Sequence, residues 1–536
     1  MSEREATEIT FSEEQVTEIL KDYRLARISR EMSLLGRKEV LTGKAKFGIF
    51  GDGKELPQIV MAKFFKNGDF RSGYYRDQTF MMAIGQLTIR EFFAQLYANP
   101  DETKDPNSAG RQMNSHFATR LIDQSGEWKQ QTSMKITSAD VSPTAGQMAR
   151  LLGLAQASKV YRHSEELKDW KHFSNNGNEI AWGTIGDAST SEGIFWETLN
   201  AAGVLQVPMI VSVWDDGYGI SVSKKYQTVK ESISKALRGF KRTKREPGFE
   251  IYAAKAWDYD ELIETFNDAE TTAREEHVPI LVHIEEVTQP QGHSTSGSHE
   301  RYKSDERLEW EKEYCCINQF RKWILSQELA DEEDLDRIDK EAKTEVREEQ
   351  KKAWDDFQSP IRDERHSVVR MINEAAEAHQ DLDKLTELKK SLERKSNPIR
   401  RDVVATARQA IFELRGKDTN ESKALRQWLL DQQSLNDERY HSHLYSETNF
   451  SPLLIEENPP QFDDDTKHVD GRKVLLHNFD AIFTKYPNTL VFGEDVGKLG
   501  DVNLGLEGMQ RKYGELRVSD TGIREATILG QGIGLG

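Results

Sequence analysis

Apolar positions recur at helical spacing in VTEILKDYRLARISREMSLL and again in TIREFFAQLYAN, with the short apolar run ELPQIVMAKFF between them. The period then changes. NEIAWGTIGDA, VPMIVSVWDD and VPILVHIEEV are nearly continuous apolar runs that end in polar residues, the pattern of strands buried on both faces. The stretches IFWETLNAAGVL and DELIETFNDAETTAREEH return to helical spacing. Strands alternating with helices predict an α/β unit with a mostly parallel sheet.

From residue 305 to 440 the chain is densely charged, with Leu, Ile and Trp at helical spacing, which predicts solvated helical hairpins or a spacer. NFSPLLIEENPPQFDDDTKHVDG reads as an irregular linker because of its prolines and acidic run. A second α/β unit begins near 470. The helix KVLLHNFDAIFTKY leads to the strand NTLVFGEDVG, then to the helix LGLEGMQRKYG and the glycine-rich end LRVSDTGIREATILGQGIGLG. One clear strand cannot cover both faces of a parallel sheet, so this unit is expected to be incomplete and the chain to end mid-domain.

Composition narrows the picture. Of 536 residues, 37% are hydrophobic and 31% charged, enough for a large core in a soluble, multidomain chain. No window approaches the apolar length that crosses a bilayer. The start, MSEREATEITFSEEQ, has neither a basic n-region nor an apolar h-region, so the expected location is cytoplasmic. The net charge of −18 argues against nucleic acid as a partner. Cys315 and Cys316 are adjacent, which disfavours a disulfide, and are read as a buried pair of small side chains.

Chemistry concentrates at two strand ends. Gly186-Asp187 closes one strand in GDASTSEG, and Trp214-Asp215-Asp216-Gly217-Tyr218 closes the next. Carboxyl ends of strands and the helix starts that follow are where α/β sheets hold phosphates, and carboxylates beside a diphosphate suit magnesium. A Gly-Asp after a strand is by itself often only a turn. GQGIGLG fails as a dinucleotide fingerprint, because Leu535 stands where the third glycine belongs, and is read as close helix packing.

Taken in order, GDASTSEG and WDDGYGIS resemble the metal–diphosphate motif of thiamine-diphosphate enzymes. SGYYRDQ, GRQMNSHF, SPTAGQMARLLGLA and GHSTSGSHERYKS resemble the alpha subunit of 2-oxo acid dehydrogenase first components, from about residue 40 to 357. FGEDVG through GQGIGLG is similar to the start of the beta subunit. The resemblance implies a thiamine-diphosphate-binding α/β fold in four parts. These are an N-terminal extension (1–30), an alpha-type domain with C-terminal helices (31–357), a helical connector and linker (358–465) and an incomplete beta-type pyrimidine-binding domain (466–536).

The same resemblance implies site residues. Tyr75, Arg76, Ser142, Thr144, Gly186, Asp187, Ala188, Asp216, His293 and Ile523 would bind thiamine diphosphate. Asp187, Asp216 and the Tyr218 carbonyl would hold Mg2+. His293 would touch the reacting intermediate, and Glu525 would bond the cofactor's aminopyrimidine and so promote deprotonation of its thiazolium carbon. Two departures stand out: the family usually has Asn-Asn where this chain has Asp215-Asp216, and often Arg where Trp214 stands. The implied activity is oxidative decarboxylation of a 2-oxo acid, branched-chain favoured, with acyl transfer to a lipoyl-bearing acyltransferase, in a homo-oligomer such as a dimer of fused chains. Pyruvate or acetoin as substrate, a non-catalytic cofactor-binding fragment and a transketolase-type carboligase are the alternatives.

Overall fold

The computed structural model describes residues 11–536; the reading of the first fifteen residues as free of a secretory signal rests partly on residues outside that range. A six-stranded, all-parallel sheet organises the first three hundred residues. Its strands are β1 (Phe70–Ser72), β2 (Ile136–Thr137), β3 (Ala181–Gly186), β4 (Met209–Trp214), β7 (Glu250–Lys255) and β8 (Ile280–Glu285), in the order β2-β1-β3-β4-β8-β7. A two-residue hairpin pair, β5 (Tyr218–Gly219) and β6 (Val222–Ser223), follows β4.

Both faces of the sheet are covered, which explains the unbroken apolar runs. Along β4, Ile210 and Trp214 join one core with Ile59, Val60 and Phe266, while Met209, Val211 and Val213 join the other with Leu151, Phe195 and Leu199. The helices Glu13–Leu41, Glu55–Phe64, Tyr259–Glu276 and Cys316–Ser326 contribute to the first core. The helices Gln147–His163 and Gly193–Leu205 close the second. ELPQIVMAKFF is therefore mostly a helix, Glu55–Phe64, buried on every side from Glu55 to Ala62 because that part lies inside the first core. Cys315 and Cys316 are buried free thiols in that core, beside Arg30 and Glu55.

The charged region is helical. Its main element, Glu332–Ala378, has 47 residues, roughly 70 Å at the usual rise. It packs first on the helices Glu13–Leu41 and Ile89–Leu96. Its second half joins Asp383–Glu393, Arg400–Glu413 and Asn420–His441 in a separate core around Ile361, Val368, Leu385 and Leu425. Beyond it, the helix Gly471–Lys485, β9 (Val491–Gly493), the short helix Met509–Tyr513 and β10 (Val518–Asp520) surround a small core of Phe483, Leu506, Met509 and Val518. β9 and β10 pair in parallel as a two-stranded sheet. No helix among the described residues is long and apolar enough to cross a membrane.

The last helix, Glu525–Leu535, docks against Gln147–His163 through glycines. A Cβ on Gly153 would stand 2.1 Å from the Gln531 carbonyl oxygen, one on Gly534 2.1 Å from that of Arg150, and one on Gly530 2.4 Å from the Ala149 Cβ. GQGIGLG is a close-packing segment, since only hydrogens fit between these backbones.

Candidate functional site

β3 and β4 are adjacent and in register, with Gly186 opposite Trp214. Asp187 and Asp215 therefore emerge side by side at the carboxyl end of the sheet. Asp187 opens the 3-10 turn Asp187–Ser191, which also carries Ala188, and its carbonyl accepts the Thr190 hydroxyl at 2.6 Å. Its carboxylate oxygen Oδ2 is buried without a hydrogen-bond partner. Burial, then Asp216 and Asp215, push the Asp187 carboxyl well above the usual carboxylate range.

The paired aspartates are treated unequally. Asp215 accepts from Lys224 Nζ at 2.8 Å and is hydrogen-bonded to His283 Nε2 at 3.0 Å. Burial would raise its carboxyl, but the bonds from His283 and Lys224 outweigh that and bring it below the ordinary value. Asp216 accepts the Tyr218 N–H at 3.1 Å, its Oδ2 lies 3.6 Å from Lys54 Nζ, and its carbonyl accepts from Arg307 at 2.9 Å. The Tyr218 ring sits 5.6 Å from that of Tyr302, under Lys303 and Arg307.

Arg76 and His293 form the facing side. Arg76 is buried and donates from Nη1 to the Phe50 carbonyl at 2.6 Å and from Nη2 to the His293 carbonyl at 2.8 Å. The same Nη2 lies 3.1 Å from His293 Nδ1. Burial, reinforced by Arg76, pulls the imidazole down to about 4, so His293 is neutral at neutral pH. Because Nδ1 faces an obligate donor, the neutral ring carries its proton on Nε2.

Tyr75 stacks on His116, whose Nε2 is 2.9 Å from the Ser142 hydroxyl. Ser142 and Thr144 are exposed in the loop that leads into Gln147–His163. Gly186 leaves space beside the buried, unpartnered Tyr74 hydroxyl. Gly530 lies on Ala149 and Gly534 on Gly153, so the two helices run in the same direction. Glu525, at the start of one, is thus directed toward the Ser142–Thr144 end of the other. Glu525 and Ile523 are themselves exposed, Ile523 at 81%, and stand outside the Arg76–His293–aspartate network.

No cluster of three or more His, Cys, Asp or Glu side chains that could hold a metal occurs among the described residues. Two carboxylates and a carbonyl, at 187, 216 and 218, would suit only an ion completed by a ligand's own oxygens, as magnesium is when it carries a diphosphate. The orphaned Asp187 oxygen fits such an ion. Lys54, His116, His283 and Tyr74 were not singled out from the sequence. They come from segments distant in the chain, and no spacing rule links them to the strand ends.

The parallel sheet with acids at the carboxyl ends of two adjacent central strands defines an α/β protein of the open-sheet kind, whose ligand crevices lie at strand carboxyl ends. The family model "Dehydrogenase E1 component" matches residues 23–362, more than half of the chain, and the chain belongs to that family. Among its relatives, mouse mitochondrial 2-oxoisovalerate dehydrogenase subunit alpha is 27% identical over 321 residues, 59% of this chain and 63% of the mouse protein. The Bacillus subtilis 2-oxoisovalerate dehydrogenase subunit alpha is 27% identical over 312 residues, 58% of this chain and 81% of its own length. A Rickettsia bellii pyruvate dehydrogenase E1 component subunit alpha is 26% identical over 174 residues, 32% of this chain and 51% of its own length. The chain thus spans less than two thirds of the mouse relative, and residues 466–536 lie beyond the family match.

Proposed function

We propose that this chain carries out the first step of a 2-oxo acid dehydrogenase reaction: oxidative decarboxylation of a 2-oxo acid, with the acyl group passed to a lipoyl-bearing acyltransferase partner. Residues 31–357 serve as the alpha-type half, 358–465 as connector, and 466–536 as a beta-type pyrimidine-binding piece. The cofactors are thiamine diphosphate and Mg2+, and the working form is a homo-oligomer of fused chains. A branched-chain substrate is favoured by the 2-oxoisovalerate relatives; the pyruvate dehydrogenase relative supports pyruvate as the second reading.

The observation that carries this reading is the buried Asp187 oxygen without a partner, beside Asp216, at the carboxyl end of β3. When bound, thiamine diphosphate supplies the electron sink that decarboxylation needs. The protein's share is electrostatic and positional. Asp187, Asp216 and the Tyr218 carbonyl would hold the divalent ion, and Gly186 and Ala188 would leave room beside it. Arg76 and Tyr75 would face the diphosphate, while Ser142, Thr144 and Ile523 would line the rest of the cofactor. His293, neutral and protonated on Nε2, can donate a hydrogen bond to a developing negative charge without adding a net charge. Glu525 would carry the proton exchanged with the aminopyrimidine.

Isothermal titration with thiamine diphosphate tests the reading. Saturable binding that requires magnesium supports it, and absence of binding with magnesium present overturns it.

A further inference from the structure

Lys54 is a charged group in this region that the proposed reaction leaves unused. It precedes the helix Glu55–Phe64 and is 1% exposed, an expensive place for an ammonium without partners. Its Nζ donates to Gln289 Oε1 at 2.6 Å and stands 3.6 Å from Asp216 Oδ2. The charges that face it are Asp216, Arg76, Asp52 and Glu55. Glu55 is held by Arg30 at 2.7 Å, and Asp52 accepts the Gln291 N–H at 2.9 Å. Asp216 is the carboxylate that completes an ion pair with Lys54.

The arrangement separates three neighbouring acids by their partners. Asp215 Oδ2 has Lys224 and His283, Asp216 has Lys54, and Asp187 Oδ2, like Asp215 Oδ1, has no partner among the described residues. Lys54 reaches a second target through Gln289, whose Nε2 donates to the Gly292 carbonyl at 3.0 Å, next to His293. One buried lysine therefore ties the 216 loop to the loop that carries His293.

We propose that Lys54 is a positioning residue of the cofactor site. Its charge compensates Asp216, so that an aspartate can stand at 216 near a diphosphate, and its bond to Gln289 sets the His293 loop at the same point. This rests on the functional reading above and adds a residue to it.

A double-mutant cycle in the full chain tests this: Lys54→Met, Asp216→Asn and both together, titrated with thiamine diphosphate at constant magnesium and melted without either. Lys54→Met is expected to weaken cofactor binding about tenfold or more, by exposing the diphosphate to an unpaired carboxylate, and Asp216→Asn to lower the melting temperature, by stranding a buried ammonium. The double variant, with neither charge and an amide oxygen still at 216, is expected to bind more tightly than Lys54→Met and to melt above both single variants. Additive losses, or a Lys54→Met that binds as the unaltered chain does, would overturn the proposal. If Lys54→Met does not fold, Asp216→Asn against the double variant decides, since removing the stranded lysine must then raise the melting temperature. If the unaltered chain binds no thiamine diphosphate, the functional reading fails, and melting alone still judges the pair by whether its losses are non-additive.

Discussion

The chain contains two parallel sheets with very different surroundings. Every residue of β4, and all of β3 but Gly186, is buried between helices. In the smaller unit Val491 and Phe492 of β9 are half-buried, and Leu529, Ile533, Val474 and Leu475 of the neighbouring helices are exposed. The larger sheet can hold a carboxylate without a partner because its packing over-determines the strand ends; the smaller one has little apolar contact to spend on strain. The cluster of Asp187, Asp215, Asp216, Lys54 and Arg76 sits in the well-buried unit, and the last helix meets that unit through the glycine seam and the bonds of Thr527 to Glu197 and Gln531 to Gln156.

The strongest test of that division is Asp187→Ala. Loss of even an outer contact to a metal ligand costs about 10–100-fold, so removal of a ligand itself should lower magnesium-dependent thiamine diphosphate affinity by at least the upper figure. The two sheets should remain folded by circular dichroism. Unchanged affinity in titration would remove Asp187 from the metal site.

Next in size is Glu525→Gln, which concerns the smaller unit's contribution. Thiamine diphosphate binding should persist, while hydrogen–deuterium exchange at the thiazolium carbon, followed by NMR, slows on the order of a hundredfold. An exchange rate equal to that of the unaltered protein would leave 466–536 without a chemical role.

Gly153→Val probes the seam. A side chain there meets the Gln531 carbonyl, and overpacking of this kind costs about 1–3 kcal/mol. In hydrogen exchange by mass spectrometry, 525–535 should lose protection while β3 and β4 keep theirs. Loss of protection in both sheets together would show that they form one cooperative unit.

The last test is the effect of pH on His293. Its folded value of about 4 lies below the ordinary imidazole value near 6.5. Between these two values the unfolded chain takes up the proton and the folded one does not. The stability contributed is therefore complete above about pH 6.5 and is lost as pH falls toward 4. Relative to His293→Gln, the unaltered protein should lose melting temperature over that window; parallel curves would place the imidazole in a more polar setting.

Much of this was legible in the sequence. β3, β4 and β8 are six-residue strands buried on both faces, so their apolar runs announce them. β1 and β2 were not visible, because three and two residues hold no period, and β7 was hidden by its half-exposed, mixed composition in EIYAAK. ELPQIVMAKFF shows the limit of periodicity, since a helix buried on all sides has no polar face to mark its turn. At the site, the acids and glycines of the strand ends were legible because they lie within short motifs. Lys54 and His283 were not, because their relation to Asp216 and Asp215 exists only after the sheet has formed.

The long helix Glu332–Ala378 has a consequence for how the chain acquires its shape. Tyr23 bonds Asp339 at 3.0 Å, Arg27 meets Asp339 at 2.8 Å, and Arg24 pairs with Glu345. These contacts join the first described helix to residues made about three hundred positions later, and such distant pairings are slow to form. During synthesis the face of Glu13–Leu41 that carries these residues must wait, while Ile28 and Met32 have the nearer sheet to settle on. Ribosome-bound chains ending before residue 330 should therefore show that helix still open to protease, and chains extended past 380 should show it closed.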